Sequence, residues 1–137
     1  MAGWTKFDSQ VTLKIPVYDR GGSSNGVADV VNNDWTAWVQ EQFGDAWNVK
    51  VEYVPITRSD VLTTYALLAA DQNLPTICAE YDYPKMTQWI NDGYLVPYDM
   101  EQFKTVAPTY YQRMVDTGLI GMTQVGGEDY LAFGTRS

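Results

Sequence analysis

From residue 11 to residue 18 apolar and polar positions alternate. Val11, Leu13, Ile15 and Val17 fall on one side, and this period of two predicts a first strand. Pro16 lies inside it and has no N–H, which places such a strand at a sheet edge or puts a bulge near its end. The period then changes. Val27, Val30, Val31, Trp35, Trp38, Val39 and Phe43 recur at helical spacing, which predicts a helix over 28–43 that ends at Gly44 and turns its tryptophans toward the core. Asn48 to Ile56 alternates again, Val49, Val51 and Tyr53 against Lys50 and Glu52. Thr57-Arg58-Ser59-Asp60 resembles a capping box with Asp in place of Glu. It opens a helix with Val61, Leu62, Tyr65, Leu68 and Ala69 inward, ending near Asn73.

Residues 74–98 carry the most organised pattern. Leu74-Pro75 stops the preceding helix. Thr76-Ile77-Cys78-Ala79 is a short apolar run of the kind that forms a strand buried on both faces. Glu80-Tyr81-Asp82-Tyr83 puts carboxylates and rings at its end. Pro84 suits a first helical position, and Met86, Trp89 and Ile90 give that helix an apolar face up to Gly93. Tyr94-Leu95-Val96 leads away as a further strand. Asp99 caps a short helical turn through Lys104, and Pro108 starts a helix to Asp116, closed by Gly118, with Tyr110, Tyr111, Met114 and Val115 on its apolar side. Met122 to Val125 and Tyr130 to Phe133, joined by Gly126-Gly127-Glu128-Asp129, read as a hairpin. The order predicts an α/β fold: a mainly parallel sheet flanked by helices, with a C-terminal β-hairpin. Residues 1–10 read as a polar tail and residues 11–137 as one domain.

Composition narrows the chemistry. The chain has 137 residues, 45% hydrophobic and 19% charged, with a net charge of −8. That is a globular composition, and its nine Lys and Arg are scattered, without the basic stripe of a nucleic-acid binder. There is no histidine and one cysteine, Cys78, which reads as a small buried hydrophobe. Those counts remove Cys/His zinc sites, Ser-His-Asp triads and Cys-His dyads. No apolar run has the length of a membrane span, and residues 1–15 show no signal-peptide core. Five Trp, ten Tyr and four Phe are more rings than a core of this size requires, and Tyr and Trp suit wet binding surfaces.

Three loops should converge at one sheet edge: Tyr18-Asp19-Arg20, Thr57-Arg58 and Glu80-Tyr81-Asp82-Tyr83. In open α/β sheets ligands sit beyond the carboxyl ends of the strands. Rings that stack on sugar C–H faces, beside planar groups that bond hydroxyls, are how saccharides are held. Asp82 is also placed to cap the helix at Pro84. The Gly21-Gly22-Ser23-Ser24-Asn25-Gly26 loop fits neither phosphate-binding glycine spacing, because Val27 stands where a lysine belongs.

The helix ending Leu67-Leu68-Ala69-Ala70-Asp71-Gln72, then Leu74-Pro75-Thr76-Ile77 and Gly93-Tyr94-Leu95-Val96-Pro97, resembles the family 1 extracellular solute-binding proteins of bacterial ABC importers. The nearest likeness is to their carbohydrate-type lipoprotein branch. Gly127-Glu128-Asp129-Tyr130-Leu131-Ala132-Phe133 is similar to the segment by which that family enters its hinge. The resemblance spans about residues 11–135. It implies a periplasmic-binding-protein-like lobe, here the N-terminal portion with half a ligand cleft, and no catalysis, metal or cofactor. The second lobe and the lipobox cysteine are missing from this chain, and Phe133-Gly134 replaces the usual Leu-Pro. By position, Tyr18, Asp19, Arg20, Glu80, Tyr81, Asp82 and Tyr83 would line the cleft, and Phe133, Gly134, Thr135 and Arg136 would lie at the hinge. A saccharide ligand, ABC permease partners and an extracellular, lipid-anchored location follow from the same resemblance.

Two other readings use the same residues. A receiver-like signalling domain would take Asp82 as phosphoacceptor. It also needs an acidic pair near strand one and a lysine after strand five, whereas Asp19 stands alone before Arg20. A glycosidase would use Glu80 and Asp82 as its carboxylates, although such pairs usually come from different elements.

Overall fold

The computed structural model describes residues 5–22, 29–78, 80 and 82–130, the side chain of Thr123 excepted. It is a mixed α/β structure that divides into two compact units, Met1–Ala79 and Glu80–Ser137. In the first unit β1 is Val11–Asp19, α1 is Asp34–Val39, a π-helical turn covers Gln40–Gly44, α2 is Asp45–Trp47, β2 is Val49–Thr57 and α3 is Val61–Ala70. In the second, α4 is Tyr83–Asn91, α5 is Met100–Val106 and α6 is Pro108–Asp116. A 3-10 turn at Ile120–Thr123 then leads to β3, Gln124–Val125, and β4, Glu128–Asp129.

β1 and β2 pair in parallel over their full length, from Val11 opposite Val49 to Asp19 opposite Thr57. Val11 N donates to Asn48 O, so the odd residues of β1 bond toward β2. Lys14 therefore faces the other edge. Its N–H donates to Thr76 Oγ1 at 3.0 Å, and its carbonyl accepts from Thr76 N at 2.9 Å and from Ile77 N. Pro16, two residues on, shares that outer edge, so its missing N–H costs the β1–β2 ladder nothing. Pro55 is placed likewise on the outer edge of β2, in phase with Val51, whose N–H donates outward to Gln40 Oε1.

The predicted strand at Thr76–Ala79 is not formed at Thr76–Cys78, which bend away after the contact with Lys14; Ala79 lies outside the described residues. The reason is Pro16, which cannot donate the next bond of a ladder on that edge. Among the described residues the parallel sheet thus has two strands. The predicted strand at Tyr94–Val96 is likewise irregular chain; Pro97 follows it, and Tyr98 N donates to Asp129 O.

The predicted helix over 28–43 begins later. Asn33 caps α1, its Oδ1 accepting from Trp35 N at 2.9 Å and Thr36 N at 3.1 Å, while Thr36 Oγ1 accepts from Asn33 N. After Val39 the helix widens to the π-helical turn, which sets the Gln40 amide against the edge of β2. Its Nε2 donates to Val49 O at 3.0 Å and its Oε1 accepts from Val51 N at 2.9 Å. Trp35, Trp38 and Phe43 are consequently exposed, by 76%, 54% and 41%, contrary to the expected inward face. The half-buried positions of this segment include the polar Thr36 and Gln40. Gly44 is buried, and the chain packs so closely there that a Cβ would lie 2.5 Å from Val49 O. Asn48 takes a left-handed φ of 59° and turns the chain into β2.

The expected box at Thr57–Asp60 is also absent. Thr57 completes β2, and Asp60 precedes α3 without a side-chain cap bond. Val61, Tyr65 and Ala69 of α3 are buried, as are Val49 and Ile56 of β2, and these residues form the core of the first unit. Ile56 and Tyr65 are fully buried, each stabilising the fold by about 1.5–3 kcal/mol. Leu62, expected inward, is instead exposed at the margin of that face, Leu68 is half-buried, and Leu67 on the opposite side of α3 is exposed.

In the second unit Met86, Trp89 and Met114 are buried. Asp99 Oδ1 accepts from Gln102 N and starts α5. The α5–α6 elbow is stiffened by an edge-to-face contact of Phe103 with Tyr110 at 5.9 Å and by Lys104 over the Tyr111 ring at 5.5 Å. The hairpin turn is Gly126-Gly127 alone, with φ of 62° and 87°. Two consecutive positive φ values close a two-residue turn, so Val125 pairs with Glu128 and not with Tyr130.

Two substitutions test this packing. Gly44→Ala should cost about 1–3 kcal/mol, because the added methyl meets a backbone carbonyl. Asn33→Ala should cost about 1 kcal/mol through loss of the cap. Urea unfolding of each variant against the parent measures both.

Candidate functional site

At the carboxyl ends of β1 and β2 the register sets Tyr18 opposite Ile56 and Asp19 opposite Thr57. The pairing continues one residue further, since Arg58 N donates to Asp19 O at 2.9 Å. That bond brings the Arg58 side chain back over β1, with its guanidinium carbon 5.1 Å from the centre of the Tyr18 ring. Asp19 Oδ1 accepts from Gly21 N at 2.8 Å, an Asx-type turn that directs the chain off the strand. Arg20 is exposed, whereas Tyr18, Asp19 and Arg58 are half-buried. The first two predicted loops therefore do meet at one strand edge, and they meet through the Tyr18–Arg58 stack.

The remaining candidates belong to the second unit. Glu80 is buried, and its Oε1 accepts from Asp82 N at 3.0 Å. Asp82 Oδ1 accepts from Lys85 N at 2.9 Å and caps α4, with Pro84 in the first turn. The capping role expected for Asp82 is thus its observed contact. Tyr83 opens α4 and is 43% exposed, and its carbonyl accepts from Thr87 Oγ1. Tyr81 and the hinge candidates Phe133, Gly134, Thr135 and Arg136 lie outside the described residues.

The sequence reading overlooked a groove beside α1, of about 560 Å³, that Trp35 and Tyr53 share with Asp29 and Asp34. Its sequence signal is Asn33 with Thr36 three residues on, which marks the helix start that the groove flanks. Among the described residues no group of three or more Cys, Asp or Glu side chains is placed to hold a metal ion. No helix among them is long and apolar enough to cross a membrane. Comparison with protein-family models, with curated proteins and with solved structures finds no match.

Cys78 is half-buried, and desolvation pushes its thiol from the ordinary 9.0 up to about 11. Alkylation at pH 8 should therefore be slow, with a rate midpoint near pH 11. The folded state holds this proton more tightly than the unfolded chain. Its contribution to stability is complete below pH 9 and is lost as pH rises through 9 to 11. Unfolding free energies of the parent relative to Cys78→Ala, measured across that window, check the sign.

Proposed function

We propose that the chain is a ligand-binding lobe of an extracellular solute-binding protein that serves a bacterial ABC importer, with a saccharide as ligand and no catalysis. The observation that carries this reading is the parallel β1–β2 pair that brings Tyr18, Asp19 and Arg58 to one strand edge. A ring buttressed by a guanidinium offers a flat face for sugar C–H groups, and the polar atoms around it suit hydroxyls. The resemblance at Leu74–Ile77 and Gly93–Pro97 supplies the family and, with it, a second lobe that would close on the ligand by hinge motion. In that reading the finer architecture is a periplasmic-binding-protein-like lobe.

Calorimetric titration of the protein isolated from its native source with a panel of mono- and oligosaccharides tests this. Saturable binding should weaken about tenfold in Tyr18→Ala or Arg58→Ala, equivalent to about 1.4 kcal/mol. Absence of binding across the panel would count against it. Transfer of phosphate to Asp82 from acetyl phosphate with Mg²⁺ would replace it with the receiver reading.

A further inference from the structure

The groove beside α1 differs in character from the strand edge. Its volume of about 560 Å³ is that of a small-molecule site. Two carboxylates, Asp29 and Asp34, and two rings, Trp35 and Tyr53, line it, and among the described residues no lysine or arginine does. Its asparagine and threonine side chains are already engaged. The Asn33 amide bonds Trp35 N, Thr36 N and Asp29 O, and the Thr36 hydroxyl bonds the Asn33 backbone at both its N–H and its carbonyl. Recognition by these two side chains is thereby depleted, and ring faces, the Tyr53 hydroxyl and negative charge remain. Asp29 stays ionised, since hydrogen bonds from the Asn32 and Val31 backbone hold its carboxyl below the usual range.

Trp35 is 76% exposed, and its edge-to-face contact with Trp38, at 6.1 Å and 82°, limits its swing. The first-turn N–H groups of α1, which would repel a cation, are covered by the Asn33 side chain. A second groove of about 680 Å³ shares Asn33, Thr36 and Tyr53, but there Lys50 and Glu52 close on each other at 2.6 Å and their charges cancel.

We infer that the groove between Trp35, Tyr53, Asp29 and Asp34 is a binding site for a small organic cation, a quaternary or alkylated ammonium with an apolar body. Ring faces attract such a cation through their quadrupoles, and the carboxylates complement its charge. The site is separate from the saccharide reading and does not depend on it.

The test is intrinsic tryptophan fluorescence of the 137-residue chain, titrated with choline and, as a neutral isostere, 3,3-dimethyl-1-butanol. Choline should quench saturably and bind about tenfold tighter than the isostere. Its affinity should fall several-fold in Asp34→Asn, read by fluorescence, and in Trp35→Leu, read by calorimetry because that variant lacks the reporter; both positions are exposed and both variants should keep the parent circular dichroism. Trp38→Phe keeps the Trp35 reporter and should bind choline within about threefold of the parent. Equal affinity for the isostere would overturn the inference and make the groove an apolar docking face. Choline binding unchanged in both Asp34→Asn and Trp35→Leu, or no saturable quenching, would overturn it as well.

Discussion

Everything described in the first unit hangs on the nine-residue parallel ladder of β1 and β2. Parallel strands need a covered crossover, and here the crossover also seals an edge, because the Gln40 amide takes the place of a further strand against Val49 and Val51. That substitution explains the π-helical turn and the buried Gly44, which together let the crossover approach a backbone carbonyl. Both prolines of the strands lie on outer edges, so the inner ladder stays complete while the outer edges resist extension. The ladder also fixes what its carboxyl ends present. Asp19 and Thr57 are opposite, so the next residue, Arg58, folds back over Tyr18.

Side chains that look chemical in the sequence are largely engaged in local structure. Asp82, Asp99 and Asn33 each cap a helix, Asp19 and Asp29 close turns, and Glu52 is held by Lys50. Capping and turn formation are what short polar side chains do most readily near helix starts. What is left for recognition is aromatic: Tyr18 under its guanidinium at the strand edge, and Trp35 with Tyr53 beside α1. The abundance of rings in the composition therefore has two separate outlets in the first unit. One is paired with positive charge and the other with negative charge, and this difference separates their chemistries.

Local patterns with local causes were legible in the chain itself. The period-two runs at Val11–Val17 and Val49–Tyr53 became β1 and β2, Asp82 with Pro84 and Asp99 became helix starts, and the paired glycines became a hairpin turn. These follow from φ preferences, missing N–H groups and side chains that reach only three residues. The meeting of Tyr18-Asp19 with Arg58 was legible too, because parallel pairing of consecutive strands brings their carboxyl ends together. Tertiary structure alone decided the rest. Whether Thr76–Cys78 forms a ladder depended on which edge of β1 Pro16 occupies, and that is a matter of register. Whether Trp35 and Trp38 face inward depended on a helix start at Asn33 and a π-helical turn at Gln40, drawn in by a hydrogen bond to a strand eleven residues away. Hydrophobic periodicity records the faces a helix offers, but not which face its neighbours cover, because burial is a property of two surfaces and only one of them is written in any stretch of chain.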